Sequence, residues 1–285
     1  MATREAIAER IAAMKLTDTI SKLSPQATIS PTTLVEAGAT DAAALGAFDP
    51  FSTADLPRIT VDRRLVGEDV PTSGITTADL EVRRVLGEGG MGQVLLAYQR
   101  SLNREIAIKT LRPGDNSPVL AGALLREARV TGALEHPGIV PVHALGLDES
   151  ELPLLVMKRI EGVSLQVLLD DSTHSVWQTL LSGATDRLEA SLRILMRVCE
   201  SLAFAHSRGV MHCDIKPENI MVGAYGEVVL CDWGVALRLD ELAGSESVFV
   251  GTPAYMAPEM LLGQTLDART DVYLLGATLH HVLTG

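Results

Sequence analysis

The hydrophobic and polar positions along the 285-residue chain change their pattern near residue 80. From there on, short apolar runs are separated by glycine, proline and other turn residues, a pattern typical of β-strands. These runs cover residues 80–86, 94–98, 106–111, 139–145 and 154–160. Residues 120–134 have instead the spacing of an amphipathic helix. We therefore expect a small, mostly antiparallel sheet with one main helix over residues 79–160.

The second half of the chain, residues 161–285, has mainly helical spacing of its apolar positions. The clearest helical stretches are residues 192–206 and 271–283. Two short strand-like pieces interrupt them at residues 220–222 and 228–230. The pattern predicts a mostly helical second domain.

Residues 1–78 have a different composition, and between positions 17 and 56 Lys22 is the only basic residue. Alanine, threonine, serine, proline, aspartate and glycine dominate there, which predicts a tail or linker that is largely disordered. Residues 5–14 have helical spacing, although an isolated helix of this length is marginal in water.

Charge and cysteine content exclude several classes of protein. The chain has 36 acidic and 24 basic residues, a formal charge of −12, which disfavours nucleic acid as a partner through repulsion. Its three cysteines have no C-x-x-C spacing, so we expect neither a disulfide framework nor a zinc site, and a reducing, cytoplasmic location. No run of 18 apolar residues predicts a transmembrane helix, so membrane tethering would need sequence beyond residue 285.

Residues 87–94 read Gly-Glu-Gly-Gly-Met-Gly-Gln-Val and match the pattern G-x-G-x-x-G-x-V. Glycines without side chains let backbone N–H groups come close to a triphosphate. Taken alone, the run is explained about equally well by an ordinary glycine-rich hairpin. A dinucleotide-binding fingerprint is disfavoured because it must open a helix, whereas the residues from Val94 onward have a strand-like pattern.

Lys109 ends the strand-like sequence Ile-Ala-Ile-Lys, 15 positions after Val94. Most lysines at a strand end are simply exposed to water. The spacing nevertheless matches the lysine of the V-A-I-K motif, which contacts nucleotide phosphates. Glu127 on the predicted helix is a candidate partner for the ammonium group, and Glu135 at the helix end is its rival. An i,i+4 pair on the helix surface would also account for Glu127.

Residues 212–219 read His-Cys-Asp-Ile-Lys-Pro-Glu-Asn, and Pro217 keeps this loop from becoming helical. Asp214 and Asn219 lie five positions apart, and Asp232 follows 13 residues after Asn219. These residue types suit a base that accepts a hydroxyl proton and two oxygen ligands for Mg²⁺. Each aspartate alone could be a turn former or a helix cap. The interpretation therefore depends on their order after the glycine run and the lysine.

Residues 251–259, Gly-Thr-Pro-Ala-Tyr-Met-Ala-Pro-Glu, complete this series of motifs. In their order and spacing, the motifs resemble those of the eukaryotic-like serine/threonine protein kinases of bacteria. The resemblance implies a bilobal α+β protein-kinase-like fold, with an antiparallel-sheet N-lobe and hinge over residues 79–160 and a mostly helical C-lobe over residues 161–285. It also implies a truncated C-lobe, because the family's domain continues past the helix that starts near Asp271.

The resemblance implies transfer of the γ-phosphoryl group of Mg-ATP to serine or threonine hydroxyls of protein substrates. Asp214 would be the catalytic base, and Lys216 would neutralise charge on the transferring group. Asn219 and Asp232 would hold Mg²⁺. Thr252 would contact Lys216 and Asp214 beside the substrate hydroxyl.

ATP binding would involve the glycine run, the strands around the adenine ring and a hinge. Lys109, paired with Glu127, would hold the α- and β-phosphates, and Met157 would be the gatekeeper beside the hinge at residues 158–160. The full set implied by the resemblance is Leu86, Gly87, Glu88, Gly89, Gly90, Met91, Gly92, Gln93, Val94, Ala107, Lys109, Met157, Lys158, Arg159 and Ile160.

Two residues depart from the family pattern. Cys213 stands where most regulated relatives have an arginine that binds an activation-loop phosphate. We therefore do not expect activity to require phosphorylation of Ser245 or Ser247. Trp233 replaces the usual phenylalanine with a larger apolar ring that can pack in the same way.

A nucleotide-binding pseudokinase or scaffold fragment is the alternative function, because the C-lobe is expected to be incomplete. Phosphotransfer and ATP binding, measured side by side, distinguish it from an active kinase. A kinase for small molecules is disfavoured, because residues 251–259 and the Lys216-Pro217 pair are typical of kinases that act on peptides.

Overall fold

A computed structural model describes residues 26–29, 53, 55–63, 78–89, 92–242 and 250–285. The chain divides into two compact units. The sheet unit comprises Asp49–Ala133 and Pro141–Arg159, and the helical unit comprises Met1–Phe48, Leu134–Val140 and Ile160–Gly285. The predicted α+β class, with one sheet-rich part and one mostly helical part, is confirmed.

A six-stranded sheet forms the centre of the sheet unit. The strands are β1 (Val61–Asp62), β2 (Leu80–Gly89), β3 (Gly92–Gln99), β4 (Arg104–Thr110), β5 (Val142–Leu147) and β6 (Pro153–Lys158). Their order is β1-β2-β3-β4-β6-β5, and all neighbours are antiparallel except β1 and β2. Alternate residues on these strands point to opposite faces, so one face carries a buried apolar cluster. Its members are Leu80, Val82, Leu95, Ala97, Ile106, Ile108, Leu154 and Val156.

Helix α1 (Pro118–Gly132) packs against the other face of this sheet. Ser117 caps it by accepting a hydrogen bond from the backbone N–H of Leu120, and Pro118 suits the first turn, where no intrahelical N–H bond is needed. Leu124 is fully buried on the apolar side of the helix, beside Leu155 of β6. Burial of a leucine of this kind contributes about 1.5–3 kcal/mol, so packing determines where this helix lies.

The helical unit contains six helices in the described residues, two small sheets and one short 3₁₀ turn. The helices are α2 (Leu165–Asp170), α3 (Val176–Leu181), α4 (Arg187–Ser207), α5 (Leu239–Leu242), α6 (Pro258–Leu262) and α7 (Ala268–Thr284). One sheet has the order β10-β9-β7, and the other pairs β11 with β8. These strands are β7 (Gly162–Ser164), β8 (Val210–Met211), β9 (Ile220–Gly223), β10 (Val228–Leu230) and β11 (Leu237–Arg238).

One predicted strand, residues 139–145, is wrong in its first part. Ile139 forms an isolated parallel bridge with Leu230 of β10, and β5 begins only at Val142. Pro141 lies between them and has no backbone N–H to contribute to a strand ladder. The predicted strand is therefore split between the helical unit and the sheet unit.

The range 1–78, expected to be a tail, contains two structured stretches among the described residues. β1 pairs with the start of β2, and Ile59 donates its backbone N–H to the carbonyl oxygen of Leu147 at 2.8 Å. Residues 26–29 belong to the helical unit, where Ile29 forms an isolated antiparallel bridge with Gly251. The helix predicted over residues 5–14 lies outside the described residues. Within the described ranges, no helix is both long enough and apolar enough to cross a membrane.

Candidate active site

The loop over residues 212–219 is held in place by a buried carboxylate from α7. Asp271 accepts the backbone N–H groups of His212 and Cys213, each at 2.9 Å, and lies 2.7 Å from Nε2 of His206. Asp271 is completely buried, so these contacts replace the water that a carboxylate otherwise requires. Cys213 adopts a positive φ of 64°. The Asp271 contacts therefore fix the backbone that carries the next residue, Asp214.

Asp214 is a buried carboxylate surrounded by hydrogen-bond donors. Its Oδ1 accepts the Thr252 hydroxyl at 2.6 Å. Its Oδ2 accepts the Asn219 amide at 3.0 Å and the Thr28 hydroxyl at 2.9 Å, and lies 3.3 Å from Nζ of Lys216. The carboxylate is therefore within hydrogen-bond reach of hydroxyl groups, as a group that receives a hydroxyl proton must be.

Lys216 and Thr252 complete the contacts around Asp214. The ammonium group of Lys216 donates to the Thr252 hydroxyl at 2.8 Å and also to the Thr28 hydroxyl at 2.7 Å. Gly251, just before Thr252, has a φ of +106°. A Cβ at this position would lie 2.6 Å from the carbonyl oxygen of Cys213. Position 251 therefore requires glycine, because any side chain would push the threonine away from Asp214.

Tyr255 joins this segment to α7. Its hydroxyl lies 2.6 Å from Nδ1 of His281. Burial, with a smaller contribution from the carboxylates of Glu218 and Asp214, raises the pKa of the Tyr255 phenol well above its usual value. The phenol therefore stays protonated and contributes a hydrogen bond rather than acting as an acid or base.

Asn219 and Asp232 are brought together by the pairing of β9 with β10. Cys231, next to Asp232, donates its backbone N–H to the carbonyl oxygen of Asn219 at 2.9 Å. The Asn219 amide nitrogen donates to the backbone oxygen of Asp214 at 2.8 Å, so its carbonyl oxygen is the atom that it would offer to a cation. One carboxylate and one amide oxygen suit Mg²⁺, which keeps water and phosphate oxygens as its other ligands.

The backbone of Asp232 adopts the left-handed conformation, with a φ of 61°. The contacts of the next residue, Trp233, hold it there. The Trp233 indole N–H donates to the carbonyl oxygen of Leu230 at 3.3 Å, and its ring lies 4.6 Å from the His212 ring, centroid to centroid. Trp233 is almost completely buried. Its packing therefore anchors the chain on both sides of Asp232. Across the described ranges, no group of three or more His, Cys, Asp or Glu side chains could hold a metal ion.

The glycine run forms a hairpin between β2 and β3 in the sheet unit. Gly89 pairs with Gly92, and the chain continues as a strand, so a helix-opening dinucleotide fingerprint is excluded. Gly92 has a φ of +137°, and a Cβ there would lie 2.2 Å from the carbonyl oxygen of Thr110. Gly87 and Gly89 have open space where a Cβ would be. Gly90 and Met91 lie outside the described residues.

Lys109 and Glu127 form an ion pair within the sheet unit. The ammonium nitrogen lies 2.7 and 2.8 Å from the two carboxylate oxygens. Glu135, the rival partner, is exposed beyond the end of α1. Both paired side chains are largely buried, and desolvation offsets much of the attraction in such a pair. Stability alone therefore does not account for this pair.

The residues expected around adenine lie on β2, β3, β4 and β6. Ala107 on β4 is buried and directly opposite Met157 on β6. Leu86 is among the exposed large apolar residues. In the expected hinge, Lys158 donates its backbone N–H to the carbonyl oxygen of Pro141 at 2.9 Å. The boundary between the two units falls between Arg159 and Ile160.

Two residues of this site are not identified by sequence reasoning. Asp271 had a detectable signal, because it is a charged residue on the buried side of a helix, in register with Leu274 and Thr278. Thr28 has none, since it lies 186 positions from Asp214 in a segment without recognisable motifs.

Comparisons with known proteins agree with this geometry. The protein kinase domain matches residues 80–285. Serine/threonine-protein kinase PknD of Chlamydia muridarum (strain MoPn / Nigg) is 39% identical over 232 residues, and its namesake in Chlamydia pneumoniae is 38% identical over 226 residues. In Protochlamydia amoebophila (strain UWE25), a kinase of the same name is 35% identical over 224 residues.

Each of these matches covers 72% of this chain, but only 23–24% of the relative. The chain therefore spans about a quarter of the length of these relatives. The domain match itself covers most of the chain and includes the glycine hairpin, the Lys109–Glu127 pair and the loop around Asp214. The chain thus belongs to the protein kinase family, and within it to the bacterial serine/threonine type.

Proposed function

We propose that this chain transfers the γ-phosphoryl group of ATP to serine or threonine hydroxyls of protein substrates. The observation that carries the proposal is the environment of Asp214. This buried carboxylate already accepts hydrogen bonds from the hydroxyls of Thr252 and Thr28, with the Lys216 ammonium 3.3 Å from its Oδ2. A hydroxyl oriented toward a carboxylate base is the arrangement that proton removal requires.

Asp214 and Lys216 would have complementary roles in the transfer. Asp214 would orient the substrate hydroxyl and accept its proton. Lys216 would stabilise the negative charge on the phosphoryl oxygens, and its contact with Thr252 at 2.8 Å keeps the ammonium group beside the base. In this reaction class, most of the rate enhancement comes from positioning and electrostatic stabilisation.

Asn219 and Asp232 would hold Mg²⁺, and the bound ion would neutralise phosphate charge on the nucleotide. The donor set supports this assignment, because it contains one carboxylate and one amide oxygen held close together by the β9–β10 pair. Lys109, fixed by Glu127, would contact the α- and β-phosphates, and the glycine hairpin would offer backbone N–H groups. Ala107 and Met157 would contact adenine, and residues 158–160 would bond its edge.

We also propose that this reaction takes place in the cytoplasm. The sequence has three cysteines without C-x-x-C spacing, a pattern that suits a reducing compartment. The same compartment supplies ATP and protein substrates.

The test is phosphoryl transfer from γ-labelled ATP to a mixture of peptides that contain serine, threonine or tyrosine. We expect Mg²⁺-dependent labelling of serine and threonine and none of tyrosine. Calorimetric binding of Mg-ATP is measured on the same sample. Binding without any transfer would contradict the proposal and support the nucleotide-binding scaffold instead.

A further inference from the structure

Within the helical unit, residues 26–29 are joined to Gly251 by an isolated antiparallel bridge at Ile29. The backbone N–H of Ile29 donates to the carbonyl oxygen of Gly251 at 2.7 Å, and the N–H of Gly251 donates back at 2.8 Å. The Ile29 side chain is completely buried. Paired backbone hydrogen bonds and a buried neighbouring side chain also contribute to the recognition of bound peptides.

This pairing places Thr28 at the proposed catalytic base. Its hydroxyl donates to Oδ2 of Asp214 at 2.9 Å and accepts from Nζ of Lys216 at 2.7 Å. The Lys216 ammonium also reaches the carbonyl oxygen of Gln26 at 3.4 Å. A hydroxyl that donates to the base keeps an oxygen lone pair available for attack on phosphorus.

Two threonines donate to Asp214, and their burial distinguishes their roles. Thr252 is almost completely buried, and its short hydrogen bond to Oδ1 of Asp214 is part of the fixed structure around the carboxylate. Thr28 is only partly buried, in a segment that enters from outside the protein kinase domain match. Thr28 is therefore in the position of a substrate residue.

We propose that Thr28 is the acceptor of an intramolecular phosphoryl transfer from the nucleoside triphosphate; this rests on the proposed function. The Thr28 oxygen forms a bond to the γ-phosphorus, and the bond from that phosphorus to the β,γ-bridging oxygen breaks. The nucleoside diphosphate leaves with that electron pair, and the hydroxyl proton passes to Asp214. The products are phosphothreonine at position 28 and a nucleoside diphosphate.

The segment would also control access for other substrates. While residues 26–29 are bound, they occupy the contacts with Asp214, Lys216 and Gly251 that another hydroxyl-bearing peptide needs. A phosphate on Thr28 adds a charge of about −1.5 to −2 beside the Asp214 carboxylate. The carboxylate repels this added charge, whereas the Lys216 ammonium, 2.7 Å from the Thr28 hydroxyl oxygen, attracts it.

The first experiment maps phosphorylation on the 285-residue chain after phosphatase treatment and incubation with Mg-ATP. We expect Thr28 to be modified at a first-order rate that does not change over about a hundredfold range of protein concentration, because the acceptor is tethered. Thr28→Val removes the hydroxyl and should abolish this modification. Ser30→Ala is the matched control, two residues along the chain, and should leave the rate at Thr28 unchanged.

A second experiment begins with the nucleotide-free protein. Amide hydrogen exchange should show protection of Ile29 and Gly251, whose N–H groups are paired. Ile29→Asp places a charge at a buried position and should remove that protection. With Mg-ATP present, the same variant should slow the modification of Thr28 by about tenfold or more, equivalent to about 1.4 kcal/mol, and speed transfer to a separate threonine peptide.

Transfer to the separate peptide is measured in every sample, so that two failures can be told apart. Peptide labelling without modification of Thr28 overturns the inference and leaves the proposed function intact. A rate at Thr28 that rises in proportion to protein concentration overturns the intramolecular step. Protection at Ile29 with no label on Thr28 or on the peptide contradicts both proposals, and residues 26–29 then only cover the site.

Discussion

The backbone N–H of Cys213 donates to Oδ1 of Asp271 at 2.9 Å, across 58 positions of the chain. Asp271 lies on α7 and is completely buried, and it also accepts the backbone N–H of His212. This carboxylate therefore sets the backbone from which Asp214 extends. Asp271 does not contact the reacting groups, and we regard it as a positioning residue.

Asp271→Asn should destabilise the protein by about 2–4 kcal/mol, because an amide presents N–H groups to one of the two backbone donors. The measurement is urea unfolding followed by fluorescence. Asp267→Asn is the matched control on the same helix, since Asp267 caps the N-terminus of α7 and asparagine caps about equally well. An equal decrease in the free energy of unfolding in the two variants would show that the buried contacts of Asp271 are unimportant for stability.

Asp214 and Asp232 should be separable by their effects on catalysis and binding. Asp214→Asn should abolish phosphoryl transfer and leave Mg-ATP affinity within about threefold, because the proposed function assigns to this residue the proton of the substrate hydroxyl. Asp232→Asn should also weaken Mg-ATP binding, because the proposed function assigns this residue to Mg²⁺. Asp186→Asn, at the exposed cap of α4, is the control and should alter neither. Activity above about 10% in Asp214→Asn would contradict its role as the base.

Lys109 and Glu127 should behave as one unit. Lys109→Met and Glu127→Gln should each lower the transfer rate, and the double variant should be no slower than the slower single variant. The reason is that the ammonium group depends on Glu127 for its position, at 2.7 and 2.8 Å from the two carboxylate oxygens.

The control for this pair is the exposed i,i+4 pair of Glu189 and Arg193 on α4. Glu189→Gln and Arg193→Met should change the rate little, singly or together, because exposed pairs contribute little. If the double variant of Lys109 and Glu127 lost as much transfer rate as the two single variants combined, the two side chains would act independently.

Gly92→Ala should destabilise the nucleotide-free protein by about 1–3 kcal/mol, because the new Cβ meets a backbone oxygen and the φ angle is unsuited to alanine. That oxygen, of Thr110, would lie 2.2 Å from the Cβ. Gly89→Ala, on the opposite strand of the same hairpin, should change the free energy of unfolding by less than about 1 kcal/mol, since the space there is open. Thermal unfolding measures the stability of both variants. A similar loss of stability in Gly92→Ala and Gly89→Ala would contradict the prediction.

Phosphorylation of Ser245 or Ser247 should not be required for activity. Cys213 offers no cation to a phosphate, and Arg238, a nearby cation in the sequence, is already paired with Asp240 at 2.9 Å. The variant with Ser245→Ala and Ser247→Ala should keep its transfer rate within about threefold, under 1 kcal/mol. Kinetics with mass-spectrometric mapping of phosphosites checks this. A tenfold or larger decrease in the transfer rate of this variant would show that another basic residue binds the phosphate in place of the missing arginine.

Much of the chemistry was predictable from local sequence. The glycine run, Lys109 and the loop around Asp214 have short motifs, and the alternation of apolar residues predicted the strands that carry them. Local pattern could not choose between Glu127 and Glu135 as the partner of Lys109. The packing of α1 against the sheet made that choice, because it brings Glu127 to Lys109, whereas Glu135 lies beyond the end of the helix and is exposed.

By itself, the sequence determined which residue types are available and in what order, because helix and strand periodicity and turn chemistry depend on near neighbours. The tertiary structure alone decided which distant groups meet. Asp271 lies under the loop of Cys213, and Thr28 at Asp214, across 58 and 186 positions. Such hydrogen bonds depend on how whole elements pack, and no local pattern records that packing.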